Sequence, residues 1–518
     1  MTLLRPLILL CLLIFSISCS NHDYDLLIKN GWIIDGTGSE ALHGHILVKD
    51  GKIIEAGDLD LSDISAENTL DAEGSIISPG FVDVHSRGVP VETPRFDNFL
   101  TQGVTTITLG LIGRSPGDDD VEGWMNEVDD AGTGPNVVHF TGHSTLRNLV
   151  DAPREGGLGD QYIGQMQEIL NEAMNAGSFG LSYGLEFEPA SYADMPELVA
   201  LANTAAGKGG ILMGHVRSED DDKIEESIAE ILEVAREAGA QLNISHLKIV
   251  YANDPHRAEE VLELMNKARD EGLAITADLY PYVASFTTIG IIFPEWARPP
   301  HDFDEVVANR RAELEEYLRN RINLRNGPEA TLFGTEPWTG KTLAEVSEEL
   351  DMPFEDVLID EIGPEGASAA YFVMNEDVMQ RFLIDPHVMV STDGGPEMRH
   401  PRGYGSFAKI IRKYVNELDL ISLEEAIYKM SGLPAETLGL TDISKVDVQR
   451  GLIREGFAAD LLIFDPENIR DTATFEDPHK FAEGFNWVLV NGQAVIEDGQ
   501  RNELLPAGII RKKSDRLN

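Results

Sequence analysis

The sequence predicts an α/β protein: a (β/α)8 TIM barrel with a small β-sandwich domain built from both chain ends. Three observations lead there. Apolar runs alternate with helical patterns through the middle of the chain, which argues for a parallel sheet wrapped by helices. Several of those runs close on a histidine or a carboxylate, and barrel active sites gather at the C-terminal ends of the strands. Short β patterns punctuated by turns recur at both ends of the chain, as if two halves of one sheet domain were separated by the barrel.

The chain has 518 residues, 42% of them hydrophobic, enough for a large core. A formal charge of −48 argues against nucleic acid as a partner, because phosphate binding needs a basic face. The acidic runs at 118–120 and 220–222 read as solvated loops. Residues 1–18 stand apart. MTLLRP carries one arginine, LILLCLLIF is an apolar stretch too short to span a bilayer comfortably, and SISCSN follows. This resembles a bacterial lipoprotein signal, cleaved before a Cys19 that becomes lipidated. The only other cysteine, Cys11, lies inside the apolar stretch. The expectation is an exported protein of the periplasm or outer membrane, held to the membrane only by a lipid anchor. Plain secretion and an uncleaved anchor are the alternatives.

Residues 23–79 begin the small β domain, with YDLLIKNGWIIDG, HILVKDGKIIEAG and NTLDAEGSIISPG as its strands. Asp50-Gly51 is a hairpin-turn signal. Residues 449–512 complete the domain, with GLIREGFAADLLIFDP, then NWVLVNGQAVIEDGQ, where Asn491-Gly492 marks a second hairpin. Residues 80–448 form the barrel. Within it GGILMGH, QLNISH and LAITADLYPY read as strands. Between the first two, Ile224, Ile228, Ile231, Leu232 and Ala235 share one helical face. The polar, Arg-rich stretch 294–346 reads as an insertion or lid.

Five residues sit at or near the ends of apolar runs: His85 in FVDVH, Glu186 in LSYGLEFEP, His215 in GGILMGH, His246 in QLNISH and Asp393 in HVMVSTD. One such histidine means little. Three imidazoles and two carboxylates at equivalent places are the ligand mix that suits Zn²⁺, and all five are candidate metal ligands.

Together these pieces resemble the amidohydrolase superfamily, and within it the N-acyl-D-amino-acid deacylases, or D-aminoacylases. The likeness runs through nearly all of residues 24–512 and is carried by ISPGFVDVHS, QGVTTITLGLIGRSP, TGHSTLR, GHVRSED, ISHLK, YPY, STDGGPEMRHPRGYGSF, GLPAETLGL and GLIREGFAADLLIFDP. The resemblance implies a metal-bearing barrel flanked by the small β domain. It implies Asp393 as the proton-transfer residue, and Lys248, Tyr282 and Arg402 as holders of the substrate carboxylate. Tyr280 or Tyr282 would help polarise the scissile carbonyl.

Two departures stand out. The first strand of the family supplies His-x-His, whereas Arg87 here follows His85. Ile112 stands where many members carry a metal-binding cysteine. The expectation is therefore one Zn²⁺ held by Glu186, His215 and His246, with Arg87 in place of a second ion and paired with Glu186 or Asp393. The implied reaction is hydrolysis of N-acyl-D-amino acids, small molecules, to a carboxylate and a D-amino acid. Two alternatives stay open: a related amidohydrolase acting on a cyclic amide, dipeptide or other carboxylate-bearing amide, and a catalytically impaired envelope binding protein.

Overall fold

The computed structural model describes residues 22–252 and 254–513. The expected signal segment 1–18 and Cys19 lie outside these described residues.

Parallel strands surround the barrel axis in chain order: Phe81–Asp83, Val104–Leu109, Asn136–His139 continuing as Thr141–Gly142, Gly180–Gly184, Ile211–His215, Leu242–Ile244, Ile275–Leu279 and Val388–Val390. Counting the two halves at 136–142 as one, this is the eightfold ring of a (β/α)8 barrel. A parallel bridge between Ser86 and Gly394 closes it. The buried Asp83 carboxylate staples the closure, accepting from the backbone N–H groups of His85 (3.0 Å) and Thr392 (3.1 Å) and from the Thr392 hydroxyl (2.6 Å). Every residue of Val104–Leu109, Gly180–Gly184 and Ile211–His215 is buried, as expected for strands covered on both faces. The outer helices show the matching stripe. In Ile224–Ala238 the buried positions include Ile224, Ile228, Ile231, Leu232 and Ala235, the face that the spacing predicts.

Strands from both chain ends share one nine-stranded sheet. The junction is the antiparallel pair Ile76–Pro79 with Leu461–Phe464. Tyr24–Ile33 pairs with Ala66–Asp71 along its first half and with Ile76–Pro79 at its end. A register shift between Ile28 and Gly31 separates the two pairings, and the core between them is built from Ile28, Ile46, Ile77, Leu461 and Ile463 among others.

The segment expected as an insertion at 294–346 is part of a larger unit. It begins with Ser285–Thr288 and ends with Ser368–Tyr371, the central strand of a three-stranded antiparallel sheet that pairs with both Ser285–Thr288 and Thr331–Phe333. A kinked helix, Phe303–Leu324, packs beside it. The unit has its own core, with Leu314, Leu318, Phe333, Leu343 and Tyr371. The flanking strands are four residues each and uncharged, so composition alone marked only the charged middle.

Candidate active site

The strand ends converge at one face of the barrel. His85 follows the first strand, Glu186 the fourth, His215 ends the fifth, His246 follows the sixth and Asp393 the eighth. Three site residues, Ile112 (φ 52°), His246 (φ 36°) and Asp393 (φ 43°), occupy the left-handed region. Side chains adopt it at a cost, and such strain clusters at functional sites.

His85 and Asp393 form one corner. His85 Nε2 lies 3.3 Å from Asp393 Oδ1 and its Nδ1 lies 3.6 Å from Asp278 Oδ1. Neither ring nitrogen makes a hydrogen bond. Arg87 donates from Nε (3.0 Å) and Nη2 (2.8 Å) to the same Asp393 Oδ1, so of its two expected partners it takes Asp393. Arg402 Nη2 lies 2.9 Å from Asp393 Oδ2. Burial pushes the Asp393 carboxyl up, but Arg402, Arg87 and the two histidines outweigh it and hold the group well below the usual carboxylate range.

His215 and His246 form the other corner, with ring centroids 4.6 Å apart. Burial pulls His215 down to about 4 and His246 well below its ordinary value, so both imidazoles are neutral, the form that binds a metal. Glu186 Oε2 lies 3.4 Å from His215 Nε2. Burial, with Glu219 nearby, pushes the Glu186 carboxyl up to about 8. Glu219 faces the opposite edges, 3.7 Å from His215 Nδ1 and 3.1 Å from His246 Nδ1. Lys248 donates to Glu219 Oε1 (2.5 Å) and lies 2.7 Å from His246 Nδ1. Burial alone would lower the Lys248 ammonium, but Glu219, Tyr280 and Asp393 raise it overall, so it stays charged.

A cavity of about 40 Å³ joins the two corners. Its wall includes Glu186, His215, His246, Lys248, Asp393 and Arg402, together with Ile112 at the position lacking a thiolate. Tyr282 is a correction. It does not line this cavity; its hydroxyl is 3.5 Å from the Pro401 carbonyl and its ring packs edge-on against His400 and Phe475. Tyr280, two residues earlier, does line it, with a buried hydroxyl free of hydrogen bonds and Arg402 4.5 Å from its ring centre. The two tyrosines flank a proline in an irregular segment, so sequence spacing did not say which would face inward.

Sequence reasoning also missed Glu219, Asp278 and Arg325. Asp278 accepts from Ser391 Oγ (2.6 Å), Asn243 Nδ2 (2.7 Å) and the His246 N–H (3.1 Å), and so ties strands six, seven and eight beneath His85. Its signal was an aspartate inside the apolar run LAITADLY. Glu219 carried a signal too, four residues after His215 in GHVRSED. Arg325, brought over the cavity by the insertion, is held by the Tyr251 hydroxyl (2.7 Å), and nothing in its local sequence foretells that.

Among the described residues two buried groups have the makings of a metal site: His85, His246 and Asp393, and His215, Glu219 and His246. With the unpartnered ring nitrogens of His85 and His215, the donor set fits a divalent ion.

The amidohydrolase family model matches residues 341–496. N-acyl-D-aspartate deacylase from Alcaligenes xylosoxydans xylosoxydans is 31% identical over 503 residues, covering 92% of this chain and 93% of that protein. The chain belongs to the N-acyl-D-amino-acid deacylases of the amidohydrolase family. Two solved structures agree. N-acyl-D-glutamate deacylase from Bordetella bronchiseptica, complexed with zinc and a phosphonate mimic of the tetrahedral intermediate, superposes with a TM-score of 0.79 at 29% identity, over 94% of this chain and 99% of that one. A D-aminoacylase described by its binuclear metal centre, with one-metal activation and second-metal attenuation, superposes with a TM-score of 0.80 at 28% identity, over 94% of this chain and 100% of that one. A divalent metal site is common to both relatives, and the two corners above are where this chain has the donors for one.

Proposed function

We propose that the protein hydrolyses N-acyl-D-amino acids to a carboxylate and a D-amino acid, using one zinc ion. The observation that carries this reading is a single cavity that gathers Glu186, His215, His246 and Asp393 beside three donors suited to a carboxylate, Lys248, Tyr280 and Arg402. Glu186, His215 and His246 would hold the ion. Glu219 and Lys248 take the Nδ1 side of His246, the outer support that fixes a ligating ring, while Glu186 faces Nε2 of His215. The metal, when bound there, would supply an acidified water and a polarised carbonyl.

The chain's own residues do the rest. Arg402 is suited to a carboxylate because its fork makes paired hydrogen bonds. When it turns to the substrate's α-carboxylate, Asp393 Oδ2 loses its guanidinium partner and becomes a better proton acceptor. Asp393 takes one proton from the attacking water and delivers it to the leaving nitrogen, so the amide and water end as carboxylic acid and amine. Burial and the missing partner leave the Tyr280 hydroxyl a protonated donor aimed into the cavity.

The count of one ion rests on Arg87. Its guanidinium is always charged, it holds Asp393 Oδ1, and a second divalent ion beside it would be repelled. Ile112 removes a further ligand. Assaying the purified chain against N-acetyl D- and L-amino acids, with zinc and with a chelator, tests the function. Zinc-dependent turnover of the D series alone is expected; no turnover of either series, with metal bound, would leave the binding-protein reading standing.

We also propose export with lipidation at Cys19, on the strength of the apolar run before it. Cys19→Ser is expected to move the protein from the membrane to the soluble fraction.

A further inference from the structure

The catalytic cavity carries Glu186, Glu219, Asp220, Asp393, Lys248 and Arg402 among its lining, beside apolar Ile112, Phe187 and Val250. The charged part of that wall suits the carboxylate end of an acyl amino acid. Directly beside it runs a second groove, open to solvent, of about 300 Å³. Arg87 and Phe286 line both spaces, so the cavity and the groove meet at these two side chains. The groove's other walls include Val89, Thr93, Pro396 and Met398, with Glu92 and Glu397 also lining it, and Val89 is 45% exposed.

The groove is preformed. The Tyr404 hydroxyl donates to the Pro396 carbonyl (2.7 Å) and the His479 ring lies 3.1 Å from the Met398 carbonyl, fixing one wall. On the other wall, the N–H groups of Glu92 and Thr93 both donate to the Val89 carbonyl at 3.0 Å. Between the walls the backbone comes close: a side chain at Gly395 would meet the Arg87 carbonyl at 2.8 Å, and one at Gly88 would meet the Phe96 ring at 2.5 Å. Glycine at both positions therefore lets the segments that line the groove pack this closely.

We infer that this groove is the acyl-chain subsite, and that the protein takes N-acyl groups longer than acetyl. The inference rests on the deacylase reading for the identity of the ligand but not for its test. The α-carboxylate lies toward Lys248, Tyr280 and Arg402, the scissile carbonyl at the junction, and the alkyl chain over Phe286 onto Val89 and Met398.

Calorimetric titration of the zinc-loaded protein with acetate, butanoate, hexanoate and octanoate reads the groove without requiring turnover. Affinity is expected to rise about two- to threefold per methylene, as partial burial of each group predicts. The gradient should flatten in Val89→Asp and in Met398→Asp, while turnover of N-acetyl substrates stays unchanged in both. Val89 is exposed and Met398 half-buried, so at least the Val89 variant is expected to fold. Equal affinity across the series, or a gradient that survives both substitutions, overturns the subsite. A rising gradient in a protein that cleaves neither N-acetyl- nor N-octanoyl-D-amino acids would support the groove and overturn the proposed reaction, so the two readings fail separately.

Discussion

Asp393 touches Arg87, Arg402 and His85 at once, and each contact has a different consequence. Asp393→Asn removes the proton acceptor but none of the three proposed ligands. Turnover is expected to fall about 10³-fold or more while zinc, measured by elemental analysis, remains bound; full activity would remove Asp393 from proton transfer. Arg87→His restores the first strand's second imidazole and releases Asp393 Oδ1. Zinc titration of that variant is expected to reach two ions per chain where the natural sequence reaches one, and two ions in the unaltered protein would refute Arg87 as a substitute cation. Glu186 provides the pH test. Its carboxyl is pushed up to about 8 in the metal-free fold, against roughly 4.3 in an unfolded chain. Its contribution is fully present below about pH 4.3 and is lost as pH rises toward 8. Metal-free Glu186→Gln should therefore gain about 1–3 kcal/mol over the unaltered protein at pH 8 and little at pH 4, read by denaturant melts. The histidine contributions cancel in that comparison. His85, His215, His246, Glu186 and Asp393 were legible because each stands near the end of an apolar run. Arg325 was not, since it reaches the cavity only through the insertion, and the signal of Glu219, four residues after His215, is masked by the acidic run that follows it.

At the scale of elements, the two hairpin turns matter most. Asp50 (φ 50°) and Gly51 (φ 71°) form one, Asn491 (φ 51°) and Gly492 (φ 77°) the other, both with the paired positive angles of a type I′ turn. Each was readable from its dipeptide. What the dipeptides did not say is that the turns press against each other: a side chain at Gly51 would meet the Asn491 carbonyl at 2.7 Å, and one at Gly492 would meet Gly51 Cα at 2.9 Å. Beside them Asp460 accepts from the Asn491 N–H (2.6 Å) and Asn136 Nδ2 (3.2 Å), which links the turn to the foot of the third barrel strand. Gly51→Ala is expected to cost about 2 kcal/mol. Gly492→Ala should cost a similar amount, and the double variant less than the sum, because both disturb one contact. Additive losses in thermal melts would show that the turns do not depend on each other.

Over the whole molecule, a ring of parallel strands brings residues more than three hundred positions apart into one cavity, and the sheet joins both chain ends outside it. Zinc should raise the melting temperature, since an ion bound only by the folded state stabilises it by mass action, and a chelator should reverse the rise; no shift would mean that the two corners hold no ion. The sequence by itself determined the strand–helix alternation, the strand-end histidines and carboxylates, the two hairpin turns and the family resemblance, because periodicity, turn chemistry and motif are local properties of the chain. Only the tertiary structure decided that Arg87 binds Asp393 rather than Glu186, that Tyr280 and not Tyr282 faces the cavity, and that an apolar groove continues from it. Those outcomes depend on where side chains from distant strand ends point once the barrel closes, and short-range pattern carries no record of that.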